Sequence, residues 1–120
     1  MSSSTFPQIN EEECRRFRAS AELAGRKWNA AILLAGARGA RRFSEYQALV
    51  EGISDRLLSA RMKELEAEGL VERTVKPTTP VTISYTLTEP GHQLISLLHP
   101  LVNWSRARHA IQSDEPLSPT

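Results

Sequence analysis

An α+β fold is predicted for this chain by three observations within residues 42–91. Two short amphipathic helical patterns stand back to back, separated by Gly52. Two β-rich runs follow, joined by the turn Lys76-Pro77-Thr78-Thr79-Pro80. A fresh helix start, Thr88-Glu89-Pro90, closes the stretch. Helix, helix, hairpin and helix at these lengths make a winged helix-turn-helix, an arrangement that can lay one helix in a DNA major groove.

Each element has its own local reason. Asn10 followed by Glu11, Glu12 and Glu13 is a good helix start, because a cap oxygen and first-turn acids complement the N-terminal dipole. The first helix is expected over 11–24, with Cys14, Phe17, Ala21 and Ala24 on one face. Gly25 ends it. A second helix over 27–37 is apolar nearly all round, which places it at the centre of a small domain. Ser44 opens a third helix through Val50, and Ser54 caps a fourth that runs to Glu68 before Gly69 stops it. Residues 71–75 and 81–87 alternate as strands, and two prolines stiffen the tip between them. Thr88 caps the last helix, which carries Leu94, Leu97, Leu98, Leu101, Val102 and Trp104 towards His109, and Pro100 divides it into two pieces. Residues 1–8 and 111–120 are read as flexible tails around a domain spanning 9–110.

Charge becomes informative once it is split by position. The whole chain carries a net charge of +1, yet segment 14–109 holds all 15 Lys and Arg and nine of the acids, a net +6. A local basic surface suits an anionic polymer. No apolar run approaches the roughly 20 residues of a membrane span, and the N-terminus lacks a secretory pattern. The single cysteine excludes an internal disulfide framework and a cysteine zinc site. A cytoplasmic protein is expected, with no membrane partner and no cofactor.

The fourth helix carries the functional reading. Leu58, Met62 and Leu65 fall on one stripe that must be core, while Arg56, Ser59, Ala60 and Lys63 occupy the opposite face. Ala60 permits close approach to a groove. Arg56 can bond guanine O6 and N7 together, and Ser59 can reach several base edges. Lys63 suits a phosphate, as does the hydroxyl of Ser54 beside backbone N–H groups. Polar helix faces are more often simply solvated. The flanking groups decide for DNA: Arg41, Arg42 and Ser44 before the third helix, and Arg73, Lys76, Thr78 and Thr79 on the hairpin.

The chain resembles the HxlR-type transcriptional regulators, relatives of the MarR group, through Cys14, Arg26-Lys27-Trp28, Arg42-Phe43, Ile53-Ser54, Leu65-Glu66-Ala67-Glu68-Gly69-Leu70, Pro80, Tyr85-Thr86-Leu87-Thr88, Gly91 and Trp104. The resemblance covers residues 14–105. It implies a homodimer paired through the extra N- and C-terminal helices, a pseudo-palindromic double-stranded operator, repression or activation of nearby genes, and no catalytic residue. Three positions depart from the family pattern: Arg26 stands for Gly, Arg15 for Pro, and Ser84 for the acid before the strand tyrosine. The resemblance also implies a role for Cys14, because several members sense oxidants or electrophiles with a cysteine at that place. The helix N-terminus and Arg15, Arg16 and Arg18 favour a thiolate, and the glutamates oppose it. The alternative is a small apolar residue at the subunit seam.

Phe17, Trp28 and Trp104 are candidates to line a pocket for a small aromatic effector between subunits, against the plainer reading that they are core. His92 and His99 lack partners at ligand spacing, so no metal is expected. An enzyme finds no phosphate loop or nucleophile set here. A winged helix used only for protein–protein contact is opposed by Arg56 and Lys63.

Overall fold

Caps and chain breakers set most of the element boundaries in the computed structural model, which describes residues 7–113. Helix α1 (Glu11–Gly25) begins with a reciprocal capping box: Glu13 N donates to Asn10 Oδ1 at 2.7 Å, and Asn10 N donates to Glu13 Oε1 at 3.0 Å. Helix α2 (Asn29–Ala37) starts two residues later than expected, because Trp28 sits in the left-handed region at φ 80° and cannot belong to the helix. Helix α3 (Phe43–Leu49) starts one residue before Ser44, which is therefore no cap. The carboxylate of Glu45 takes that task, with Oε1 accepting from the backbone N–H of Arg41 at 2.7 Å and of Arg42 at 3.0 Å.

Ser54 caps helix α4 (Asp55–Ala67) as expected, with Leu57 N donating to its Oγ at 3.1 Å. Gly52 at φ 92° turns the chain between α3 and α4, and Gly69 at φ 78° ends α4. Strands β1 (Val71–Lys76) and β2 (Thr82–Leu87) pair antiparallel from Val71↔Leu87 to Lys76↔Thr82. Thr88 opens helix α5 (Glu89–Leu98), accepting from Gly91 N at 3.2 Å and donating to Gly69 O at 2.6 Å. Pro100 divides the last helix as expected, and α6 (Leu101–Ser113) follows. It continues past 109, so residues 111–113 are helical rather than tail, while residues 1–6 and 114–120 lie outside the described residues.

Helix α2 is central, with Ile32, Leu33 and Ala35 buried. Around it pack Tyr46 of α3, Leu58, Met62 and Leu65 of α4, Val71 and Leu87 of the hairpin and Ile95 of α5. Burial of each large aliphatic side chain contributes about 1.5–3 kcal/mol. Helix α1 differs, having no buried residue, so the expected stripe of Cys14, Phe17, Ala21 and Ala24 finds no core within the subunit. Only Leu23, near its end, packs against the main cluster.

Two polar contacts tie the hairpin to the helices. Tyr46 Oη donates to Tyr85 O at 2.9 Å, with the two rings edge to face at 6.3 Å, and Tyr85 N donates to Arg41 O at 2.7 Å. Burial pushes the Tyr46 phenol up from its ordinary value, so it stays a donor across the working range. Chain packing is tightest at Gly91, where an added Cβ would fall 2.2 Å from Leu70 O. Gly91→Ala is expected to destabilise the domain by about 1–3 kcal/mol in urea unfolding. A midpoint equal to that of the parent protein would contradict this close approach.

Candidate nucleic-acid interface

The site is built on α4, because its buried stripe of Leu58, Met62 and Leu65 dictates which residues remain outside. Arg56, Ser59, Ala60 and Lys63 are all exposed, as expected. A cleft of about 270 Å³ runs beside them, between α4 and the hairpin, lined by Ser59, Met62, Lys63, Glu66, Arg73 and Tyr85. Arg73 and Tyr85 are cross-strand partners and so share one face of the sheet. The structure thus brings Ser59, Lys63 and Arg73 to one concavity, and adds Glu66 and Tyr85. The hairpin itself is legible in the sequence, but its packing against α4, which brings Glu66 and Tyr85 into the cleft, joins distant segments that no local spacing marks.

The wing tip is held by its own hydrogen bonds as well as by its prolines. Thr78 N donates to Lys76 O at 2.8 Å, and Thr78 Oγ1 donates to Pro80 O at 2.7 Å and approaches Thr82 Oγ1 at 3.4 Å. The Thr78 hydroxyl therefore braces the tip, while Lys76 and Thr79 are exposed on it.

Arg41 departs from a simple outward role. Its Nη1 donates to Gly36 O at 3.1 Å and Ala40 O at 2.7 Å, so the guanidinium closes the carbonyl end of α2. Arg42 and Ser44 are exposed at the start of α3. Ser54 is exposed, but its oxygen already serves Leu57 N, leaving the hydroxyl hydrogen as its donor.

Contacts absent from the sequence reading hold α4 in place. Gln47 Nε2 donates to Asp55 Oδ1, linking α3 to the first turn of α4. Arg26 Nη1 meets Glu64 Oε1 at 2.9 Å, and Arg61 Nη1 meets Glu64 Oε2 at 3.2 Å. Arg61 Nε also donates to Lys27 O at 3.2 Å. Arg26 and Lys27 therefore hold α4 from the α1–α2 junction. Within it, Trp28 at φ 80° holds a conformation that costs a large side chain about 1–3 kcal/mol.

Cys14 is exposed on α1. Two of the three arginines expected beside its thiol pair with glutamates instead: Arg15 with Glu11 at 4.0 Å and Arg16 with Glu12 at 3.8 Å. The three aromatic residues proposed for one effector pocket do not meet within the subunit. Trp28 is half-buried, whereas Phe17 and Trp104 are 68% and 60% exposed, and Trp104 lies under Arg108 at 5.2 Å. Among the described residues no cluster of side chains could hold a metal, and no helix is long and apolar enough to cross a membrane.

A profile of the HxlR-like helix-turn-helix family matches residues 23–113. The chain belongs to the HxlR family. Its relatives include the Bacillus subtilis HTH-type transcriptional regulators YvaP and YodB. YvaP is 42% identical over 98 residues, covering 81% of this chain and 91% of YvaP. YodB is 37% identical over 92 residues, covering 77% and 82%. The reduced form of YodB superposes with a TM-score of 0.69 at 36% identity, over 88% of this chain and 98% of that one. The redox regulator HypR in its reduced form gives 0.74 at 26% identity, over 83% and 99%. This HxlR-family chain is thus a transcriptional regulator with a winged helix-turn-helix domain.

Glu45 supplies a pH signature of this site. The backbone N–H groups of Arg42 and Arg41 hold its carboxyl below the ordinary value, and the two guanidinium charges add to that. A lowered folded-state value stabilises the fold above the ordinary carboxylate range and is lost as pH falls through the lowered value. Glu45→Gln is therefore expected to be less stable than the parent near neutrality, with the gap closing under acid. Urea titrations at several pH values check this, and a gap that widened on acidification would contradict it.

Proposed function

We propose that this protein is a sequence-specific double-stranded DNA-binding regulator that acts as a homodimer. One observation carries the reading: the exposed face of α4 shares a cleft with Arg73 of the basic wing, which puts Ser59, Lys63 and Arg73 side by side. Arg56 reads base edges, Lys63 and Arg73 meet phosphates, and Lys76 and Thr79 follow the backbone from the wing. Pairing through α1 and α6 is supported by their apolar surface, since Phe17 and Trp104 are both exposed there. Two subunits would present their groove helices to half-sites roughly 34 Å apart, and so to a pseudo-palindrome.

Binding is tested by fluorescence anisotropy against duplexes enriched from random sequence, over a range of salt. Arg56→Ala is expected to lose about 1–3 kcal/mol on the selected site and to relax its sequence preference. Lys63→Ala should weaken selected and random duplexes alike and flatten the salt slope. Equal losses on both duplexes for Arg56→Ala would remove it from base reading. Affinity indifferent to salt would favour a protein-docking winged helix.

A second reading concerns the signal. YodB has been seen in reduced and diamide-treated forms, and HypR, a redox regulator, in reduced and oxidised forms. Exposure of Cys14 supports a thiol switch here, through an intersubunit disulfide or a mixed disulfide with a small thiol. A mild thiol oxidant is expected to change DNA affinity in the parent protein and not in Cys14→Ser. The same response in both would move the signal away from the cysteine.

A further inference from the structure

The junction between α1 and α2 lines a cavity that DNA binding does not use. Arg26, Lys27 and Trp28 form one wall of an open space of about 450 Å³, faced by Ala31 of α2, Leu98 of α5 and Leu101 of α6. That volume lies within the roughly 300–1,000 Å³ of ordinary small-molecule sites. The space continues past Ala31 into a smaller apolar hollow of about 180 Å³ that includes Leu34, Ile95 and Val102.

Its chemistry is mixed in a specific way. The walls are apolar or small, and the only charged side chains lining the larger space are the two cations. Lys27 Nζ lies 5.4 Å from the centre of the Trp28 ring. A flat aromatic body fits against indole and leucine, and one carboxylate on it meets Arg26 and Lys27. Arg26 already pairs with Glu64, but a neutral aromatic, or the apolar helix face of a second copy, would cover Lys27 without a counter-charge. Arg26 stands where the family pattern carries Gly, so its charge on this wall is particular to this chain, whereas Lys27 follows the pattern.

The same three residues touch the groove-reading unit. Arg26 holds Glu64 of α4, Lys27 O accepts from Arg61 of α4, and the Trp28 ring edge lies 3.7 Å from where a Cβ on Gly52 would be, in the turn between α3 and α4. We infer that this cavity is an effector site for a small aromatic carboxylate, whose binding draws Arg26 from Glu64 and so shifts α4. The coupling rests on the DNA-binding reading above, whereas ligand binding does not. Linkage makes the effect reciprocal: the ligand lowers DNA affinity by the factor by which DNA lowers ligand affinity.

The test uses the full chain with 1-naphthoate and its neutral isostere 1-naphthamide. The indole N–H resonance of Trp28, assigned with Trp104→Phe, is followed by nitrogen–proton correlation spectra. Naphthoate is expected to shift it saturably, with naphthamide at least about tenfold weaker. Arg26→Gln should weaken naphthoate alone. Naphthoate should also lower affinity for the selected duplex by about tenfold, within the usual range of allosteric coupling. Ala31→Phe, which fills the cavity, should bind that duplex and lose the response. No saturable shift in the folded protein, or equal shifts with both compounds, overturns the site even if DNA binding holds. Saturable binding with unchanged DNA affinity overturns the coupling. If Ala31→Phe abolishes the dimer in sedimentation while naphthoate leaves Trp28 unmoved, the cavity is a seat for the second subunit and the proposal fails.

Discussion

Everything outside α4 is arranged around the need to bury one stripe of it and leave the other face bare. Leu58, Met62 and Leu65 are essentially inaccessible, and burial of three such side chains contributes several kcal/mol, comparable to the whole net stability of a small domain. The stripe needs a partner surface, and it finds one in the cluster that joins Val71 of β1 to Ile32, Leu33 and Ala35 of the central helix α2. The hairpin then closes the remaining side through Val71 and Leu87, and Tyr46 fixes its angle by bonding Tyr85 O. Once those contacts are made, Arg56, Ser59, Ala60 and Lys63 have nowhere to go but outward. The basic face follows from the apolar one.

Local chemistry made this much readable from residues alone. Ser54 and Thr88 act as caps, Gly52 and Gly69 break helices and Pro100 splits one, because each works through neighbours within a few positions. The period of the stripe on α4 was legible for the same reason. Contacts between distant segments were not. Arg41 reads as a phosphate ligand by type, yet its guanidinium turns back to Gly36 O and Ala40 O. Trp28 reads as a helical residue by period, and instead holds the left-handed turn that lets α2 begin. Arg26 and Glu64 lie 38 residues apart, and no pattern in either segment marks them as partners.

Helices α1 and α6 leave most of their described residues exposed. An isolated helix in water has little stability of its own, and most of what holds a helix in a protein is the packing of its apolar face. Helix α1 runs for 15 residues with none of them buried, and Phe17 faces solvent. Good capping at Asn10 and the exposed pairs of Arg15 and Arg16 with Glu11 and Glu12 are worth only a fraction of a kcal/mol to about 1 kcal/mol each. A partner subunit laid against Phe17 and Trp104 would provide the missing burial. In the proposed dimer those two aromatics belong to the seam rather than to a pocket, which leaves Trp28 as the aromatic wall of the cavity.

Glu64 joins the α1–α2 junction to α4. It faces Arg61 on its own helix and Arg26 from the α1–α2 junction, and all three side chains keep contact with solvent. Ion pairs so placed contribute roughly 0–1 kcal/mol, too little to hold a fold. That weakness suits a contact meant to change. A buried pair would resist separation by several kcal/mol and lock α4 in one position, whereas this one yields to a competing carboxylate. The pair alone falls at or below the 1–3 kcal/mol that useful coupling requires. Arg61 on Lys27 O and the Trp28 ring against Gly52 must therefore move with it. The strained backbone at Trp28 favours such a joint shift, because leaving φ 80° would release energy that the present packing holds in place.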